Sequence, residues 1–179
     1  YIPGAVAFIA RKGKIVYYKS FGFDDIEKKT PLKKDQIFRI ASQTKAITSI
    51  AALMLYEEGK YNLDDPVSKF IPEFKNPVIL KTFNEKDSSY ITEPAKKEIT
   101  IRQLFTHTSG IGYAGIGTKE MNAIYAKAGV PSGVGNSNGV LSEKMKILGK
   151  LPLMHEPGEK FTYGLNTDLL GYLVELWSG

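Results

Sequence analysis

The chain has 179 residues, 42% of them hydrophobic and 24% charged, a balance that belongs to a folded globular protein and excludes a disordered or low-complexity one. No apolar run approaches the roughly 20 residues that a bilayer-spanning helix needs, and the absence of cysteine excludes disulfides and thiolate chemistry. The net charge of +5 is carried entirely by residues 1–34. With only Arg11, Arg39 and Arg102 as arginines and no basic stripe interleaved with aromatics, no nucleic-acid partner is expected.

The sequence opens at Tyr1 with no initiator Met and no export signal, so an upstream segment is expected to have been removed. Residues 4–23 read as a β-hairpin, Ala5–Ala10 and Lys14–Tyr18 flanking the turn Arg11-Lys12-Gly13. Residues 24–36 are polar, contain Pro31 and read as a loop. A long helix is expected from Ser42 to Glu58, with Gly59 as its C-terminal cap. Its apolar residues, Ala46, Ile47, Ile50, Ala51, Leu53, Met54 and Leu55, cover most of the circumference, which predicts burial in the middle of the protein. A short helix, Val67–Phe70, is stopped by Pro72, and residues 75–97 read as irregular or weakly stranded. Helices follow at Thr100–Phe105, Lys119–Ala128, Ser142–Leu151 (capped by Ser142, stopped by Pro152) and Thr167–Trp177. Residues 110–139 are otherwise a Gly-rich loop region.

Several motif-like stretches reduce to turns. Gly110-Ile111-Gly112-Tyr113-Ala114-Gly115 has the letters of a dinucleotide fingerprint, but a helix and not a strand precedes it, so it reads as a flexible loop. The adjacent acids Asp24-Asp25, Glu57-Glu58 and Asp64-Asp65 point in different directions and read as turn and cap residues. His107 reads as a turn residue bonding backbone at a helix end, and His155 as part of a surface turn. Neither lies in an HExxH pattern, so no metal and no cofactor are expected.

Ser42-Gln43-Thr44-Lys45 is different in its context. On composition alone roughly one Ser-x-x-Lys arises by chance. Here Ser42 stands at the start of the apolar helix, where the dipole and free N–H groups favour an alkoxide. Lys45 projects from the same face one turn on. An apolar surrounding disfavours its charged form, which suits a neutral amine base.

Ile37-Phe38-Arg39-Ile40-Ala41-Ser42-Gln43-Thr44-Lys45 resembles the first motif of the serine β-lactamase and penicillin-binding-protein superfamily, in its class C-like branch. Pro3-Gly4-Ala5-Val6, Leu63-Asp64-Asp65-Pro66-Val67, residues 101–110 and Pro157-Gly158-Glu159-Lys160-Phe161-Thr162-Tyr163 follow in the order of that branch. The stretches 94–100 and 163–168 are most similar to the β-lactamase-like esterases.

The resemblance implies an α+β fold of the β-lactamase/transpeptidase type, an antiparallel sheet with a helical region. Residues 1–179 would be the N-terminal portion of one catalytic domain, with hairpin 4–23, helical region 42–179 and the closing strands missing. It also implies a serine hydrolase forming an acyl-enzyme on Ser42, with Lys45 taking or relaying its proton and Tyr163 as partner base. The substrate would be a small-molecule or peptide-like acyl compound, an ester or a β-lactam. The alternatives are a DD-peptidase or a non-hydrolytic penicillin-binding or sensor relative. The family's second motif is often Tyr-x-Asn. Here Leu165 occupies the third position, which favours ester hydrolysis, and Asn166, one step later, is assigned to substrate binding. The third motif, Lys-Thr-Gly or an equivalent, does not occur. A periplasmic or cell-envelope setting in bacteria is what the resemblance implies for location.

Overall fold

The computed structural model describes residues 2–132 and 139–179. Tyr1 and the 133–138 part of the Gly-rich region expected at 110–139 lie outside the described residues. The chain divides into two compact units, Tyr1–Ile40 and Ala41–Gly179.

The first unit is an antiparallel sheet in the order β1 (Gly4–Arg11), β2 (Lys14–Asp25), β3 (Thr30–Pro31). Lys12 and Gly13 both have positive φ, 50° and 73°, the geometry of a two-residue hairpin turn whose twist matches the strands. Ala5 therefore pairs with Phe21 and Phe8 with Tyr18, with a bulge between Ile9 and Ala10. The segment expected as a loop contributes β3, because β2 runs on to Asp25 and Leu32 N–H returns to Gly22 O (3.1 Å).

The second unit holds the continuous core. Its long helix is α1 (Thr44–Glu57), preceded by a 3-10 turn over Ala41–Gln43. At the other end Gly59 N–H reaches Tyr56 O and Lys60 N–H reaches Leu55 O, the paired bonds of a left-handed glycine cap. The expectation that α1 is buried all round is wrong. Only Ala52 is fully buried, while Ile47, Ile50 and Met54 are about three-fifths exposed. One side of α1 packs on α5, and apolarity spread over the whole circumference cannot tell that side from the rest.

Pro72 does not simply end the next helical turn. Val67–Lys69 is one 3-10 turn, and Pro72 opens a second, Pro72–Phe74, a position where its missing N–H costs nothing. Residues 75–97 are better ordered than expected: β4 (Val78–Phe83) and β5 (Tyr90–Pro94) form an antiparallel hairpin. Lys81 and Glu93 pair across it at 2.9 Å. The region 42–179 is therefore mixed and not purely helical.

Helix α2 (Ile101–Phe105) starts where Gln103 Oε1 accepts Thr100 N–H at 3.0 Å. Helix α3 (Lys119–Ala128) has the expected limits, capped by the Thr118 side chain and by Gly129 at φ 71°. Helix α4 (Leu141–Leu148) starts one residue before Ser142, which is not its cap. Helix α5 (Asn166–Ser178) is the most buried element. Its Leu169, Leu170, Leu173 and Trp177 pack with Leu104, Ile101, Met121 and Met145 in one cluster. The Trp177 ring stacks on Tyr61 at 3.8 Å. At about 1.5–3 kcal/mol for each large side chain withdrawn from water, this cluster is what fixes the start of α5 and the segment leading into it.

Candidate active site

Three parts of the second unit meet at one place: the start of α1, the 107–113 segment after α2, and the 161–166 segment that enters α5. Ala41, the first residue of the 3-10 turn, takes a left-handed φ of 46°. The N-cap position of α1 falls on Gln43, so Ser42 is not spent as a capping side chain. Its hydroxyl instead meets the Tyr163 hydroxyl at 2.9 Å, across 121 residues of sequence.

The 161–166 segment lies against 107–113 through backbone bonds. Thr162 N–H donates to His107 O (2.7 Å) and Leu165 N–H to Gly112 O (3.0 Å). Gly164 permits this contact, since a Cβ there would stand 2.0 Å from Ile111 O. The stretch Gly110–Tyr113, expected to be a flexible loop, is buried. It is tied by Met154 N–H to Gly110 O (2.8 Å) and by Gly112 N–H to the buried Tyr125 hydroxyl (3.1 Å). It forms the floor under Tyr163.

The Tyr163 ring stacks on His107 at 5.0 Å and 28° and on Tyr113 at 5.5 Å and 8°. The Lys45 ammonium sits 5.0 Å from the Tyr163 centroid and 5.6 Å from that of Tyr113. The bonds from Ser42 and then from Lys45 pull the Tyr163 phenol below its ordinary value. Tyr113 moves the other way: burial, followed by the negative charge of Asp168, raises it despite Lys45. The two phenols beside one ammonium are thereby separated, and Tyr163 is the one that gives up its proton more readily.

Lys45 departs from expectation. Burial acts to lower its proton affinity, as the sequence suggests. The Tyr163 bond and the negative charge of Tyr113, Tyr163 and Asp168 outweigh that, and the net shift is upward. The balance favours the charged amine beside the phenol over the neutral base that burial alone would give. Asp168, on the first turn of α5, is itself pushed up by burial against the opposing pull of Lys45.

Asn166 is fully buried. Its Oδ1 accepts the Ser109 hydroxyl, and its Nδ2 donates to His107 Nδ1 at 2.9 Å. Both ends of the carboxamide are thus engaged within the protein. His107 is a turn residue as expected, with φ 53°, but its ring also faces Tyr163. His155 is 4% exposed and is not a surface turn. Its Nδ1–H donates to Glu156 O (2.8 Å), and Nε2 pairs with the Thr162 hydroxyl (2.7 Å). It braces the segment carrying Tyr163.

Sequence reasoning missed Tyr113, Asp168 and the stacking role of His107. The signal for the first lay inside the discounted Gly-rich letters, where two glycines let a tyrosine-bearing backbone lie flat against a neighbour. Among the described residues, no group of three or more His, Asp or Glu side chains is placed to hold a metal ion.

The family model described as "Beta-lactamase" matches residues 1–179. Esterase EstB of Burkholderia gladioli is 35% identical over 178 residues, covering 99% of this chain and 42% of its own length. Among solved structures, EstCE1, a hydrolase with promiscuous acyltransferase activity, superposes with a TM-score of 0.76 at 32% identity, covering 99% of this chain and 43% of its own. Simvastatin synthase (LovD) from Aspergillus terreus gives 0.72 at 31% identity, with 99% and 43% covered. The chain spans about two-fifths of the length of these relatives.

Proposed function

This chain belongs to the beta-lactamase family, and on that premise we propose that the protein is a serine hydrolase working through an acyl-enzyme on Ser42, with esters as its preferred substrates. The observation that carries this is the 2.9 Å contact between the Ser42 and Tyr163 hydroxyls, with Lys45 over the Tyr163 ring. A serine hydroxyl is a poor nucleophile until a neighbour takes its proton. Tyr163 is the neighbour within reach, and its lowered proton affinity, stabilised by the Lys45 cation, suits it to the task.

In this reading Tyr163 reacts as the phenolate, its own proton already lost to solvent, and its oxygen accepts the Ser42 proton as Oγ attacks the substrate carbonyl carbon. The proton then passes from Tyr163 to the departing alkoxide as the ester C–O bond breaks, leaving acyl-Ser42 and a free alcohol. Water enters, gives a proton to Tyr163 and adds to the acyl carbon. Collapse expels Ser42 Oγ, which recovers the proton. Lys45 stays cationic throughout and offsets the charge on Tyr163 and on the tetrahedral intermediates.

Support for esters over β-lactams comes from Leu165, which stands where the second motif often has Asn, and from relatives named as an esterase and an acyltransferase-active hydrolase. An alcohol in place of water at the second step would make the same centre an acyltransferase. The test is steady-state turnover by the full-length protein of a p-nitrophenyl ester, a penicillin and a D-Ala-D-Ala peptide. Ester turnover that disappears in Ser42→Ala supports the reading. Ester turnover undiminished in Ser42→Ala, or release of D-alanine as the dominant reaction, overturns it.

A further inference from the structure

Tyr163 is 37% exposed, yet its hydroxyl must stay on Ser42. One residue touches the chain on both sides of it. His107 O accepts Thr162 N–H at 2.7 Å, and His107 Nδ1 accepts Gly164 N–H at 3.4 Å and Asn166 Nδ2 at 2.9 Å. The imidazole face lies on the Tyr163 ring at 5.0 Å, with Phe161 against it at 5.7 Å. His107 does this from a left-handed φ of 53°, a conformation that a non-glycine residue keeps only when its surroundings impose it.

We propose that His107 is a positioning residue for Tyr163: a neutral, Nε2-protonated imidazole that straps residues 162–166 and supports the phenol ring over Ser42. The proposal rests on the reading of Tyr163 as the base for Ser42. The tautomer follows from the direction of the bonds. Ile111 N–H donates to Ser109 Oγ (3.0 Å), the Ser109 hydroxyl donates to Asn166 Oδ1, and Asn166 Nδ2 donates to His107 Nδ1. Gly164 N–H, a backbone donor that cannot be turned around, points at the same nitrogen. The ring proton must therefore sit on Nε2.

Protonating Nδ1 would set an N–H against two N–H donors. Rotating the Asn166 carboxamide would relieve one clash by reversing the Ser109 bond, but the Gly164 clash would remain. The groups that bear on the ring are Lys45 from α1, Tyr163 and Phe161 from the 161–166 segment, and Asn166 from α5. Burial first, then the Lys45 charge, lower the proton affinity of His107. The strap therefore holds at neutral pH and opens as pH falls below the ordinary histidine range. Protonation of Tyr163 sets its own acid limb, and opening of the strap adds a second, steeper fall at more acidic pH.

Two variants of the full-length protein test this. His107→Phe keeps a ring face and removes the acceptor; His107→Asn keeps a short acceptor and cannot titrate. The readouts are kcat and KM for a p-nitrophenyl ester against pH, and the Tyr163 phenol titration by NMR of ring-labelled tyrosine, its resonance assigned by loss in Tyr163→Phe. His107→Phe is expected to lose about a hundredfold in kcat, the cost of misplacing a catalytic group by about 1 Å, with KM unchanged and the Tyr163 titration moved back up. His107→Asn is expected to regain most of that loss and to keep the Tyr163 limb while lacking the second, more acidic fall. Wild-type kcat and Tyr163 titration in His107→Phe would overturn the proposal, as would persistence of the second, more acidic fall in His107→Asn, which is decisive even where His107→Phe does not fold. Absence of ester turnover in the wild type would overturn the serine-hydrolase reading instead, and the Tyr163 titration would then decide the role of His107.

Discussion

Replacing Gly164 with alanine perturbs the site without touching any group placed in the chemistry. A Cβ built on Gly164 falls 2.0 Å from Ile111 O and 2.7 Å from Gly112 O, and real Cβ atoms essentially never come within 3.0 Å of such neighbours. Both obstacles are backbone, so no side chain can swing aside. The 161–166 segment must retreat from 107–113 by about 1 Å. That displacement stretches the Leu165 N–H to Gly112 O and Thr162 N–H to His107 O bonds, each worth about 1 kcal/mol. It also carries the Tyr163 hydroxyl off Ser42, now 2.9 Å away. The expected outcome for Gly164→Ala is a stability loss of about 1–3 kcal/mol by urea denaturation, together with an acylation rate about a hundredfold lower in burst kinetics. An alanine variant with the wild-type denaturation midpoint and burst rate would refute the close-packed floor beneath Tyr163.

Three other substitutions probe separate parts of the account. Tyr163→Phe keeps the ring stack and removes the proton acceptor, so ester kcat/KM is expected to fall by about 10²–10⁴, while Tm stays near the wild-type value in a thermal scan. Asp168→Asn removes one source of the upward shift on Lys45. A raised lysine is charged, and stabilising, up to its elevated value and loses that contribution as pH climbs through it, so the alkaline limbs of activity and stability are both expected at lower pH in this variant, read from pH–rate and pH–denaturation profiles. Leu104→Ala, in the cluster that seats α5, is expected to cost about 2–5 kcal/mol in chemical denaturation.

Elements whose pattern is local were legible in the sequence. The hairpin turn at Lys12-Gly13 needs two positive φ values, and helix α3 carries its own stop in Gly129. The β4–β5 hairpin was not legible, because apolar Tyr90 and Ile91 are exposed beside polar residues and Ile79 is its one buried residue, so no inside–outside alternation marks it. Within the site, the pairing of Ser42 with Tyr163 came from ordered motifs, since no local signal reaches across 121 residues. The charge of Lys45 could not be read from its own helix. Its upward shift comes first from the Tyr163 bond and then from the charges of Tyr113, Tyr163 and Asp168, which the fold brings up from other segments. Asn166 shows the same limit in reverse: its place three residues after Tyr163 says nothing about its carboxamide turning inward to Ser109 and His107.

The central claim is that Ser42 becomes acylated with Tyr163 as its base, and intact-mass analysis of the full-length protein quenched during ester or penicillin turnover tests it most directly. One added acyl group is expected, mapped by peptide digestion to Ser42, absent in Ser42→Ala and formed far more slowly in Tyr163→Phe. An acyl group on another residue, or turnover that accumulates none under any quench while surviving Ser42→Ala, would contradict it.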